Sequence, residues 1–330
     1  MGHARRVEIE NVAWSDADAV RRLVAVTNAV RRFDSPWLHP LTELECVGDL
    51  RHGWDGEPRA AYLATVGGVD VGAGGYEVST YDNEHLAWVE VEVVPSQWRR
   101  GYGSALLAHL EDRARSEGRT TVGVACWDGR EPTAFAAAHG FEQKSVEVHR
   151  RQYVDGPPTL PLPEAPGYEL VRWPARTPDA DLAALAELTA AINDAPTDDL
   201  DVEDEAFPPE RIAAYEHAWA SRGHRLYRLV ARHRQTGVLA GQTVVAVDGE
   251  RPELGEQHDT SVVAAHRGHR LGLLLKLEML RWLADEEPQL REIDTWNAES
   301  NDHMIDVNEL LGYRVMGRAI DYQRPTRGIS

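Results

Sequence analysis

The strongest constraint on how this chain can fold is that one short pattern occurs in it twice. In the later copy an extended run through Val262 and Val263 enters a polar corner from His266 to Gly272. Apolar residues at helical spacing follow at Leu274, Leu275, Leu277, Met279, Leu280, Trp282 and Leu283. In the earlier copy Trp88 to Pro95 alternates apolar and acidic residues, SQWRRGYGS makes the corner, and Ala105, Leu106, Leu107 and Leu110 open a helix. Strand, tight loop, helix is the expectation at both places. A loop of that kind aims free backbone N–H groups and the positive end of the helix dipole at one point, which suits a phosphate or pyrophosphate. Its recurrence predicts a tandem repeat of domain size.

The flanking elements repeat in the same order. Val7 to Val12 predicts a strand, Asp16 or Asp18 can cap a helix to about Arg32, and a second helix covers Leu41 to Leu50. A hairpin through Gly67-Gly68, the acidic strand, the corner and its helix, a strand at Thr120 to Cys126, a short helix and a strand from Phe141 to Tyr153 complete the first domain, 1–154. DGPPTLPLPEAP, residues 155–166, carries five prolines and predicts an extended linker. Residues 167–330 repeat the sequence of elements, from Tyr168 to Trp173 through a closing strand at Tyr313 to Gln323. The fold class expected is α+β, two tandem domains, each a mixed central sheet flanked by helices.

Charge and cysteine usage exclude several classes. Lys+Arg 35 against Asp+Glu 54 leaves −19 over 330 residues, so the molecule repels nucleic acid and anionic membranes, and a cationic substrate suits it better than a polyanion. Cys46 and Cys126 lie far apart with no zinc spacing, so reduced thiols and no metal site are expected; His266 and His269 lack a third ligand in the sequence. The N-terminal residues MGHARRVEIENV show no apolar leader, and no apolar run reaches membrane-spanning length, which predicts a cytoplasmic protein, monomer or homodimer. Trp37, Trp54, Trp219 and Trp296 read as core and rim packing, and the acidic run Asp198, Asp199, Asp201, Glu203, Asp204, Glu205 as a solvated loop or a cationic entry.

SQWRRGYGS resembles the acyl-CoA pyrophosphate loop of the GNAT acetyltransferase superfamily, R/Q-x-x-G-x-G/A after a central strand, and Gly140-Phe141 and LGY at Leu311 to Tyr313 resemble its closing G-F turn. The likeness spans both halves and is similar to that of tandem GNAT proteins such as mycothiol synthase. It implies acetyl-CoA as cofactor and transfer to a primary amine of a small molecule. It implies that the backbone N–H groups of Arg99, Arg100, Gly101, Tyr102, Gly103 and Ser104, and of His269, Arg270, Leu271, Gly272 and Leu273, hold the pyrophosphate, with Arg267 at the Arg/Gln position. Val93, Val94, Val262 and Val263 lie where family members bulge the strand toward thioester and pantetheine. Both copies depart from the pattern: Trp98 replaces the Arg/Gln, and Arg270 replaces the first glycine.

In family members the base often lies eleven or nine residues before the Arg/Gln position, which gives Glu256 and His258 in the second half but Ala87 and Val89 in the first. Base chemistry is therefore expected in the second half, unless Glu90 or Glu92 faces inward. The family's tyrosine acid is replaced by Ala136 and Asn308. Asn297, Asn301 and Asn308 offer amides to the pantetheine arm or to the adenine-side phosphates. Two other classes fit the same residues: a non-catalytic acyl-CoA-binding or scaffold protein, and a protein-lysine acetyltransferase.

Overall fold

A computed structural model describes residues 7–326; the expectation for the first six residues falls outside that range. The chain divides into two compact units, and each contains a strand from the other half of the sequence.

The first unit opens with β1 (Glu8–Val12), α1 (Ala17–Asp34) and α2 (Glu43–His52). Asp16 caps α1 by accepting from Asp18 N and Ala19 N, and Thr42 with Glu45 forms a reciprocal capping box on α2. β2 (Ala60–Val66) and β3 (Val69–Glu77) meet through Gly67 and Gly68, both left-handed (φ 60° and 79°), as a two-residue hairpin of this twist requires. β4 (Leu86–Val93), α3 (Tyr102–Ser116), β5 (Thr121–Trp127) and α4 (Arg130–Ala138) follow. Alternation along β4 sends Val89 and Val91 toward α3, whose Leu106, Leu107 and Leu110 are essentially unexposed. Each of those leucines contributes about 1.5–3 kcal/mol by burial.

The second unit repeats this with β7 (Tyr168–Pro174), α5 (Leu182–Thr189), α6 (Pro209–Ser221), β8 (Arg225–His233), β9 (Leu239–Val247), β10 (Leu254–Val262), α7 (Leu271–Glu286), β11 (Glu292–Ala298) and α8 (Asp302–Leu310). Its core is larger: the nine large apolar residues of α7 are buried and pack with Leu229, Val245 and Ile293.

The sixth strand of each sheet corrects the sequence-based boundary. β6 (Glu142–Tyr153) and β12 (Arg314–Pro325) were each expected to close their own half. Instead β12 pairs with β5, from Ala319↔Trp127 to Pro325↔Thr121, giving the order β1-β2-β3-β4-β5-β12. Glu147 to Tyr153 of β6 pairs with β11, giving β7-β8-β9-β10-β11-β6. In both sheets, among the described residues, the fourth and fifth strands of the unit are parallel neighbours. An ion pair identifies the exchanged strand: Arg151 on β6 grips Asp294 on β11 through two hydrogen bonds of 2.6 and 2.8 Å, and His149 adds a third contact at 3.1 Å.

The proline-rich stretch 155–166 is not a free connector. Leu160, Leu162 and Ala165 pack on the second unit's core. The acidic run also divides. Asp198–Glu203 belongs to the first unit, where Asp201 N donates to Gln323 Oε1 (2.7 Å), Thr121 Oγ1 donates to Asp201 (3.1 Å) and Ser145 Oγ donates to Asp198 (2.9 Å). That segment is mostly solvent-exposed, as a solvated loop would be, and is also pinned as a strap by these specific bonds.

Candidate active site

A wedge opens beside the central strand of each unit. β4 pairs with β5 only from Leu86↔Thr121 to Trp88↔Gly123, and β10 with β11 only from Leu254↔Glu292 to Glu256↔Asp294, among the described residues. Beyond those pairs the strands diverge, leaving the β5-facing backbone of Val89 to Val93 without a neighbouring strand. An extended ligand can hydrogen-bond there as a strand would.

Each wedge leads to a helix N-terminus prepared in the same way. α3 and α7 begin without any side-chain cap, so their first N–H groups are open to an anion. The two departures from the glycine pattern have one explanation. Each loop needs the left-handed conformation twice, at positions three and one before the helix: Arg99 (φ 62°) and Gly101 (φ 85°) in the first, Gly268 (φ 82°) and Arg270 (φ 56°) in the second. Each copy places its glycine at a different one of the two, and the backbone follows the same path. Nothing lies within 4 Å of where a Cβ would stand on Gly101, Gly268 or Gly272, whereas one on Gly103 would press Phe135 at 3.1 Å.

Trp98 likewise keeps the role of the residue it replaces. Its indole Nε1 donates to Val93 O at 2.6 Å, and Arg267 Nε donates to Val262 O at 3.1 Å. Both bonds tie the loop to the carbonyl five residues upstream. Ser104 Oγ lies 3.0 Å from His139 Nε2, and Arg100 is exposed. Tyr102, Leu271 and Leu273 turn their side chains into their cores, which leaves only their backbone for a ligand.

Three further expectations need correction. Val93 pairs regularly with Gly72 and Val262 with Gly241, while Val94 N and Val263 N donate to Val71 O and Ala240 O, each at 3.0 Å; these residues form no bulge. The irregularity in β10 falls earlier, between Gln257 and Thr260, and β4 pairs with β3 without one. Asn301 uses its side chain to cap α8 by accepting from Met304 N (3.2 Å). Asn308 is wholly buried: its Oδ1 accepts from Lys276 Nζ (2.7 Å) and its Nδ2 donates to Asn297 Oδ1 (2.6 Å). Asn297 and Asn301 use only their side-chain oxygens in these bonds and keep their amide N–H groups for a ligand. Burial brings the Lys276 ammonium down to about 7.

His269 lies beside Tyr168, ring centroids 5.6 Å apart, and Tyr168 is hydrogen-bonded to His266 at 3.0 Å. Glu256 and His258 do come together, 3.8 Å apart. His258 is also hydrogen-bonded to the Tyr215 hydroxyl and lies tilted against Trp219, ring centroids 4.2 Å apart. Burial works to raise the Glu256 carboxyl, but the nearby His258 ring and the charges of His258 and His224 hold it below the usual glutamate value. A carboxylate so stabilised is a weak base.

The first unit holds the opposite arrangement. Glu90 and Glu92 alternate with the valines of β4 and so face α1. Arg59 pairs with Glu90. Glu92 accepts from Thr27 Oγ1 on α1 at 2.6 Å. Burial, followed by the charge of Glu90, pushes the Glu92 carboxyl up to about 7 against the Thr27 bond and the pull of Arg31 and Arg59. The sequence contained the signal: WVEVEVV places both glutamates on one face of a central strand. Fixed offsets from the loop point to Glu256 and His258, with Glu90 or Glu92 as the exception if either faces inward.

Residues 25–141 match the model of the acetyltransferase (GNAT) family. Among solved structures, the chain is similar to a tandem GNAT protein from the clavulanic acid biosynthesis pathway, at 29% identity and a TM-score of 0.80 over 98% of this chain and 100% of that one. It shares the fold of a GCN5-related N-acetyltransferase from Sphaerobacter thermophilus (17% identity, TM-score 0.73, 99% of this chain and 98% of that one) and of one from Kribbella flavida (13%, 0.54, 98% and 71%). No curated protein matches the chain. A GNAT signature in the first half, the same wedge and loop rebuilt in the second, and full-length likeness to a tandem relative lead to one statement: the chain is a tandem protein of the GNAT superfamily, of the acyltransferase class.

Proposed function

We propose that the protein transfers an acetyl group from acetyl-CoA to a primary amine of a small molecule, and that the first unit does the chemistry with Glu92 as general base. The observation that carries this is the Glu92 carboxyl, held by Thr27 beside the open edge of β4 and raised to about 7. A base is most effective when its pKa lies near the working pH. Glu92 meets that condition and Glu256 does not.

The residues fit a nucleotide thioester. The uncapped start of α3, with open space around Gly101, would take the pyrophosphate, and the free edge of Val89 to Val93 would take the pantetheine amides. When bound, acetyl-CoA supplies an activated acyl carbonyl and a thiolate leaving group. Glu92 accepts the proton that the ammonium of the acceptor must lose before its nitrogen can attack. Backbone N–H groups on the open edge of β4 donate to the carbonyl oxygen as it gains charge. Ala136 stands where the family carries its tyrosine acid, so the thiolate leaves without a phenol; that keeps an acetyl-CoA-binding protein without turnover as the second reading.

Among the described residues no helix is long and apolar enough to cross a membrane. A cytoplasmic site of action, where acetyl-CoA is made and used, goes with the proposal.

Thiol release from acetyl-CoA in the presence of a panel of primary amines tests it. Amine-dependent release is expected. Acetyl-CoA binding with no release for any amine supports the non-catalytic reading instead.

A further inference from the structure

On the α1 side of the first unit's sheet, next to Glu92, lies a recess whose contents the transfer chemistry does not require. Register defines it. Trp88 lies opposite Gly123, Ala125 opposite Asp321, and Trp127 opposite Ala319, so these side chains share the face that carries Glu90 and Glu92. Ile320 and Tyr322, the neighbours of Asp321, point the other way into the α3 core.

The recess has walls and an open floor. At one end the Trp88 ring covers Gly123, where an added Cβ would meet it at 2.6 Å. At the other end Trp37, from the α1–α2 connection, stands edge-on to Trp127 with ring centroids 5.1 Å apart and packs over Gly317. The Asp198–Glu203 strap closes the side at Thr121 and Gln323. Between them Ala125 is exposed, although it lies in the middle of a central strand.

Asp321 borders that opening. It is 8% exposed, and among the described residues its carboxylate takes no hydrogen bond and no ion pair. Burial alone pushes it up to about 6. A buried carboxylate without a partner costs several kcal/mol unless something cationic compensates it. Other buried carboxylates do have a donor: Glu111 has Arg324, Glu216 has Thr177, and Asp248 has Arg251. Partly exposed tryptophans beside an unpaired carboxylate make a surrounding that attracts an organic cation through both charge and ring faces.

We infer that Asp321 is the counter-ion for a second cationic group on the acceptor, so that the substrate is a diamine or polyamine with one nitrogen acetylated near Glu92 and another held at Asp321. The spacing agrees. Asp321 lies two strands from β4, roughly 10 Å at ordinary strand separation and more where β4 and β5 diverge, which is the span of a diamine or longer polyamine and not of a single ammonium. The anchoring residue comes from the last strand of the chain while the base comes from the first half, so the exchanged strand supplies part of the site.

This inference rests on the proposed amine transfer, and the test separates the two. The full chain is assayed by thiol release with hexylamine, hexane-1,6-diamine and 6-aminohexanoate, which share a length and differ only in the far end. Binding of hexane-1,6-diamine is also followed by calorimetry, without turnover. The wild type is expected to favour the diamine about tenfold or more in kcat/KM over both others. Asp321→Asn should reduce that preference to within about twofold while leaving hexylamine unchanged, and should weaken diamine binding to a similar degree. Ala125→Lys provides a second variant at an exposed position: its ammonium sits directly across from Asp321 and should compete with the diamine in the same way. A diamine preference that survives both variants, or a wild type that treats the three compounds alike, overturns the inference. If no amine is turned over, the transfer reading fails, and the calorimetric comparison still decides the role of Asp321.

Discussion

The hydroxyl of Thr27 on α1 donates to the carboxylate of Glu92 on β4 at 2.6 Å, and this bond joins α1 to the strand that borders the wedge. It favours the ionised carboxylate, but burial and the charge of Glu90 outweigh it, so Glu92 titrates near neutrality. A group in that condition takes up a proton readily and gives it back readily.

The pH dependence of transfer follows from the ionisation of Glu92. With an acceptor of low basicity, so that its own titration stays out of range, kcat/KM should rise about tenfold per pH unit below about 7 and level off above it. Steady-state rates from pH 5 to 9 check this. A profile already flat at pH 5 would show a base with an ordinary carboxylate pKa.

Stability should move the opposite way from activity. The folded-state value of Glu92 lies above its ordinary 4.5, so the wild type loses stability as pH rises from there to about 7, where the unfolded chain ionises first. Glu92→Gln removes that loss. Because the group is only half-buried, the gain at pH 8 should be on the order of 1 kcal/mol after allowance for solvent screening, read as a higher urea midpoint.

The left-handed positions just before α3 and α7, Gly101 and Arg270, make a reciprocal pair of predictions. Arg270→Gly should stabilise the protein by about 1 kcal/mol, since a side chain in that conformation costs about that much, and Gly101→Ala should cost a similar amount for the same reason. Urea unfolding measures both. Equal stability of Arg270→Gly and wild type would mean that the Arg270 side chain compensates for its backbone.

Asp294 gives the acid limb. Burial opposes its charge, but the Arg151 and His149 contacts hold it at about 2 against an ordinary 3.8, so its contribution is complete above pH 3.8 and is lost as pH falls toward 2. Asp294→Asn should flatten the stability curve between those values. Arg151→Met, which strands the buried carboxylate, should cost about 3–5 kcal/mol.

Most of the architecture was legible in the sequence because it depends on local signals. Asp16 and Thr42 mark helix starts, Gly67-Gly68 marks a hairpin, and the valines of β4 mark a strand buried on one face. The strand exchange left no such mark. β6 and β12 carry the same alternation whichever sheet receives them, and the Arg151–Asp294 pair that records the choice joins residues more than a hundred positions apart. The loops were placed correctly, but their glycines were counted by position when the backbone asks only for two left-handed residues, and Arg99 and Arg270 can supply one each. At the site, offset counting chose Glu256 and His258. What separates them from Glu92 is the company each carboxylate keeps, His258 and His224 in one case and a second glutamate in the other, and that is a tertiary property.

The most direct test of the account is a side-by-side thiol-release assay of Glu92→Gln and Glu256→Gln, with acetyl-CoA affinity measured for both. The account predicts a loss of about a hundredfold or more in kcat/KM for Glu92→Gln, unchanged acetyl-CoA affinity, and near wild-type turnover for Glu256→Gln. A full loss in Glu256→Gln with Glu92→Gln unimpaired would contradict it and return the chemistry to the second unit.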